Sequence, residues 1–171
     1  MPFAITLGLD DFSAASVAAV ARPFLERGWG PPASAYPPHV TMAVYAEDAP
    51  ADRVGEAVEM LASQWEKLPI VLASLGIFRG PPAVLFLAPV VTAALLARRE
   101  AVRAALPELP DHPHFRPEAW VPHVTLATGG RESDPAFVDL PALPVGALLD
   151  RLEIVRFPPA VVLASRRLAS G

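Results

Sequence analysis

Of the four histidines in this 171-residue chain, two stand in the same phrase. His39 lies in YPPHVTM, residues 36–42, and His123 lies in WVPHVTL, residues 120–126, which is 84 positions later (123 − 39). Each phrase runs aromatic, any residue, proline, His-Val-Thr, aliphatic. Side chains alternate between the two faces of a strand. Read as strands, the phrases put His39 and Thr41 on one face and Val40 and Met42 on the other. His123 and Thr125 stand opposite Val124 and Leu126 in the same way. The aliphatic members suit a core. An imidazole or hydroxyl left there without a partner costs about 1–3 kcal/mol, so the polar members call for another explanation.

Two imidazoles facing one substrate suit acid–base chemistry near neutral pH, where one can be neutral and accept a proton while the other is charged and donates one. The two threonine hydroxyls can donate to the non-bridging oxygens of a phosphate held between the rings. Together these are a kit for cleaving a phosphodiester without a metal. A lone His-x-Thr on a strand is ordinarily a satisfied core or edge histidine. Repetition, with the proline and the upstream aromatic carried along, favours the paired functional reading.

The elements that must position these groups are legible from periodicity. Phe3–Leu9 alternates and predicts a strand. Ser13 is expected to cap a helix over 14–27, with Val17, Val20, Ala21 and Phe24 on its apolar face. His39–Tyr45 predicts a strand, and 51–65 a helix with Val54, Val58, Leu61 and Trp65 on one side. Ile70–Phe78 and Val84–Val90, joined by RGPPA, predict a hairpin. A helix over 92–106, a proline-rich loop over 107–122 and a strand over 123–128 follow. A short helix is expected at 134–140, then a closing strand pair, 148–157 and 161–168. The mixture predicts one α+β domain over 1–171, with two pseudo-symmetric lobes of mainly antiparallel sheet and flanking helices around a central cleft.

Composition narrows the function. At 53% hydrophobic and 19% charged the chain is globular rather than disordered. A net charge of −4 argues against a broad basic surface for long nucleic acid. Without cysteines there is neither a disulfide framework nor a thiolate metal site. The opening MPFAITLGLD lacks the features of a signal peptide, and no apolar run is long enough to span a membrane. The expectation is a cytoplasmic monomer with no membrane association.

The paired PHVTM and PHVTL phrases resemble the signature of the two-histidine (2H) phosphoesterase superfamily, in particular its 2′-5′ RNA ligase-like/RNA 2′,3′-cyclic phosphodiesterase branch. The likeness covers most of the chain: FAITLGLD, the SLGIFRG–PPAVLFLAP hairpin and LDRLEIVRF stand where that group has similar elements. The resemblance implies histidines as acid and base at His39 and His123, threonines binding phosphate at Thr41 and Thr125, and no required metal or other cofactor. It also implies RNA ends or small cyclic nucleotides as partners, with His39 as the acid at the leaving oxygen. Many members place an arginine after the second motif, where this chain has Ala127 and Thr128. Arg79 and Arg116 are the replacements considered, each weighed against a plain surface arginine.

Other residues have plainer roles beside a functional one. Tyr36, Phe115 and Trp120 can stack on a base, or simply anchor loops against prolines. His112 and His114 form a His-x-His pair, but nothing nearby completes a zinc site, so a solvated loop is expected. Arg99 and Arg103, four apart on a helix, predict a solvated face. The leading function is metal-independent hydrolysis of 2′,3′-cyclic phosphates to 2′-phosphates, with cleavage or joining of 2′-5′ linkages as a variant of the same chemistry. The alternative is a non-catalytic nucleotide- or RNA-end-binding module.

Overall fold

The computed structural model describes residues 2–32, 36–45, 50–129 and 143–170. The first strand, β1 (Phe3–Leu9), is buried along its whole length, because it lies inside a sheet between two neighbours. Asp10 ends it and starts α1 (Asp11–Glu26): its Oδ1 accepts from the Ser13 amide at 2.9 Å. The cap is thus Asp10 and not Ser13. Ser13 sits within the first turn, where its hydroxyl accepts from the Leu148 amide at 2.9 Å and ties the helix to the sheet.

The remaining elements are β2 (His39–Tyr45), α2 (Ala51–Gln64), β3 (Leu68–Phe78), β4 (Val84–Pro89), α3 (Ala93–Ala105), a 3-10 turn (Pro113–Phe115), β5 (Val124–Thr128), β6 (Val145–Arg156) and β7 (Val161–Arg167). Thr92 caps α3 through its hydroxyl, which accepts from the Leu95 amide at 3.2 Å. The helix expected at 134–140 lies outside the described residues. Among the described residues no helix is long and apolar enough to cross a membrane.

All strand pairs are antiparallel, in the order β2-β1-β6-β3-β4-β5, with β7 also on β6. The long strand β6 joins the two halves. β1 runs along one of its edges, while β3 (against 145–149) and β7 (against 151–156) follow one another along the other. The halves are β2-β1-β6-β7 and β5-β4-β3-β6, so the two expected lobes share a strand. The outermost strands of the sheet path, β2 and β5, approach each other, which means the sheet curls.

The helices repeat the symmetry. The unit β1-α1-β2 matches β4-α3-β5, and each helix supports the opposite half: α1 packs on β5 and α3 on β2. Ile5, Leu7, Val40, Met42, Val124 and Leu126 join Val17, Val20 and Phe24 of α1 in one core. Burying each of the larger ones contributes roughly 1.5–3 kcal/mol.

Arg99 corrects the expectation of a solvated helix face. It is only 2% exposed, and its guanidinium donates to the Phe115 carbonyl and faces Asp111 at 3.4 Å. Helical spacing identifies which residues share a face. It does not show that the 107–122 loop folds over this one.

Candidate active site

Both repeated phrases end in a β-bulge. Thr6 pairs with Thr41 and Ile5 with Ala43, leaving Met42 unpaired; Phe86 pairs with Thr125 and Leu85 with Ala127, leaving Leu126 unpaired. A bulge turns two consecutive residues towards one side. Here Met42–Ala43 and Leu126–Ala127 are all buried, while His39, Thr41, His123 and Thr125 stay half-exposed on the other face. All four line one cleft of about 920 Å³.

The two imidazoles are held alike. His39 Nδ1 lies 2.8 Å from the Pro37 carbonyl, and His123 Nδ1 lies 2.8 Å from the Val121 carbonyl. A carbonyl only accepts, so each Nδ1 carries the hydrogen, and each Nε2 is left to take or give a proton. Burial holds both imidazoles below their ordinary pKa, with the carbonyl contacts opposing it. Charge on His123 pushes His39 down further, and Glu153 pulls it up. The hydroxyls of Thr41 and Thr125 hydrogen-bond no other side chain or backbone group among the described residues, which leaves them open to a ligand.

The supports under the two rings differ. The His39 ring lies 4.5 Å from the Tyr36 ring. The Tyr36 hydroxyl donates to Glu153 Oε2 and lies 2.8 Å from the Thr6 hydroxyl, while Ser165 donates to Glu153 Oε1 at 2.8 Å. His123 instead meets Phe78 and Phe86 edge-on at 4.9 and 5.4 Å, and those two rings stack on each other at 4.2 Å. Gly76 makes that stack possible, since a Cβ there would sit 2.3 Å from the Phe86 ring.

Of the other expected contacts, Tyr36, Arg79 and Phe115 line the cleft, and so do His112 and His114. Arg116 is exposed outside the cleft lining, its carbonyl accepting from the Ala119 and Trp120 amides. Trp120 also stands outside it, packed on the core with Nε1 donating to the Thr41 carbonyl at 3.0 Å. That bond joins one phrase to the other, because the aromatic that opens the second phrase steadies the threonine of the first. Sequence reasoning missed Glu153, Thr6, Phe78 and Phe86. One signal for Glu153 was present: a carboxylate in the alternating strand LDRLEIVRF needs a partner wherever that strand is covered.

A match to the 2′-5′ RNA ligase superfamily spans residues 10–158. The chain belongs to that superfamily. Its fold is also that of several solved structures, at identities that speak for the fold alone. TT0787 of Thermus thermophilus is 19% identical with a TM-score of 0.69, covering 99% of both chains. Escherichia coli LigT, solved in complex with 3′-AMP, is 17% identical with a TM-score of 0.67, covering 98% of this chain and 99% of that one. Kluyveromyces marxianus Usb1 is 11% identical with a TM-score of 0.55, covering 95% and 97%. No curated protein sequence matches the chain.

Proposed function

We propose that this superfamily member hydrolyses 2′,3′-cyclic phosphates, on RNA ends or small nucleotides, to 2′-phosphates without a metal. One observation carries the reading: two imidazoles, each with Nδ1 engaged by a carbonyl and Nε2 left over, line one cleft beside two threonine hydroxyls that no described residue engages. The phosphate lies between the rings. Neutral His123 takes a proton from water as its oxygen bonds to phosphorus. The bond from phosphorus to the 3′-oxygen breaks, and protonated His39 gives that oxygen its proton. Thr41 and Thr125 donate to the non-bridging oxygens, whose charge grows in the transition state. General acid–base catalysis of this kind supplies about 10²–10⁴-fold per group.

The cleft also has room for a nucleoside. Beyond the His39–Thr41 row, Val44, Ala4 and Val155 form an apolar strip across the sheet, flanked by Phe115 and Phe157. A base fits such a surface, and Arg79 on the opposite half suits a further phosphate. LigT, with the same fold, holds 3′-AMP, which supports a nucleotide here as well.

The test is incubation with 2′,3′-cyclic AMP, a short RNA ending in a cyclic phosphate and a 2′-5′ dinucleotide, each with and without EDTA. Release of the 2′-phosphate at equal rates with and without EDTA is expected. Binding of nucleotide with no turnover of any of the three would replace the reading with a non-catalytic binding module. Loss of activity in EDTA, restored by a divalent ion, would overturn the metal-independent mechanism.

A further inference from the structure

The two halves of the sheet pair alike across three strands, with a threonine of each phrase at the start of the row. Thr41 pairs with Thr6, which pairs with Glu153. In the other half Thr125 pairs with Phe86, which pairs with Gly76. So the place held by a carboxylate under one phrase is held by a glycine under the other, and the Phe86 ring covers it. We propose that Glu153, acting through Tyr36, is a positioning residue that makes His39 rather than His123 the proton donor of the pair.

The geometry behind this is a chain of contacts. Glu153 is 7% exposed and lies outside the cleft lining, so it does not meet substrate. It accepts from Tyr36 and Ser165, and the Tyr36 ring packs on His39. Gly8, paired with His39, keeps the intervening space free: a Cβ there would meet Arg151 at 2.7 Å and Glu153 Oε2 at 3.2 Å. A buried negative group beside one imidazole favours its charged form. His123 has two phenyl rings in the same place and, among the described residues, no carboxylate behind them.

The other charged and titratable groups around His39 do not supply this bias. Arg151 on β6 has its guanidinium engaged by Asp150 at 2.7 Å, the Leu9 carbonyl at 2.8 Å and Asp11 at 3.3 Å. β1 contributes Thr6 and Gly8, neither of which titrates. His123 and Arg79 stand on the opposite half of the cleft, and His112 and His114 at the 3-10 turn, so all four bring positive charge or none. Among the described residues that leaves Glu153 as the negative group acting on His39, where it opposes the larger effect of burial.

The inference rests on the cleft being a paired acid–base site, and its test is separable from that reading. Imidazole proton resonances of His39 and His123 are followed through a pH titration of the unliganded protein, in the native chain and in Glu153→Gln, Tyr36→Phe and Ser165→Ala. Glu153→Gln is expected to lower the His39 midpoint and leave His123 in place. Ser165→Ala, which loosens the same network and keeps the charge, is expected to leave both in place. On 2′,3′-cyclic AMP, Glu153→Gln and Tyr36→Phe should lose about five-fold or more kcat/KM on the alkaline side and less near the optimum. A nitrophenyl phosphodiester, whose leaving group needs no proton, should hide that loss. An unmoved His39 midpoint in folded Glu153→Gln overturns the inference. So does an equal shift in Ser165→Ala, which would make the effect structural. A chain inert on every cyclic phosphate but showing the His39 shift would sink the proposed activity and leave the electrostatic asymmetry standing.

Discussion

His39 and His123 make the same hydrogen bond, Nδ1 to the carbonyl two residues earlier, at 2.8 Å in both. The contact is local, written into each phrase, so each imidazole is oriented by its own strand and not by the opposite half. Replacing either histidine by alanine frees a single carbonyl and removes ring contacts at the cleft, with Tyr36 for His39 and with Phe78 and Phe86 for His123, and leaves the core in place. His39→Ala and His123→Ala should each lower kcat on 2′,3′-cyclic AMP by about 10²-fold or more, with native far-UV circular dichroism. Wild-type turnover in either variant would end the paired mechanism.

Thr41→Val and Thr125→Val keep shape and remove a hydroxyl that no described residue engages. The expected result is a loss of about ten-fold in kcat/KM, smaller than for the histidines, since proton transfer stays in place. An unfolded valine variant would assign the hydroxyl a structural role instead.

Burial disfavours the charged form of both imidazoles, so their folded pKa values lie below the unfolded one. The unfolded chain then binds protons that the folded chain does not. Stability from this source is present above the unfolded imidazole value and is lost as pH falls through the folded one. The Tm should therefore fall on acidification from about pH 7, and His39→Gln or His123→Gln should flatten that fall. A Tm profile unchanged in both variants would contradict the assigned direction.

Arg99 faces a nearly buried Asp111, which Arg103 also meets at 2.8 Å, and two Arg99 nitrogens and one Asp111 oxygen lack hydrogen-bond partners among the described residues. Removing Arg99 leaves Asp111 to Arg103 alone and takes the donor from the Phe115 carbonyl. Arg99→Ala should destabilise by about 1–3 kcal/mol in urea unfolding, the cost of leaving a buried acceptor without its donor. Because Arg99 also holds the Phe115 carbonyl beside the cleft, a surviving Arg99→Met should raise KM more than it lowers kcat. Wild-type stability in Arg99→Ala would show that the pair carries no net role.

Gly76→Ala drives a methyl into the Phe86 ring. The predicted cost is about 1–3 kcal/mol, together with loss of activity as the support under His123 shifts. Phe86→Leu in the same chain should restore stability, which a thermal melt of the double variant would check. Failure of that rescue would place the strain elsewhere.

Much of the molecule was decided locally. Alternation in HVTM and HVTL sent histidine and threonine to one face and the aliphatics to the other, and a strand period of two is a property of neighbours in sequence. The strands, the two hairpins and the described helices followed from periodicity and turn residues, with one cap shifted from Ser13 to Asp10. Long-range pairing decided the rest. It set β2 and β5 at opposite ends of the sheet path and curled that sheet until they met. It laid a loop over Arg99, whose side chain a helical pattern alone would leave in water. It also put Glu153 in the row of Thr41 and Gly76 in the row of Thr125, although these residues lie 112 and 49 positions from them (153 − 41 and 125 − 76). Residue type and local alternation are enough to say which groups can do the chemistry. Only the register of distant strands decided that their surroundings differ, because a charge acts on whatever folding brings near it.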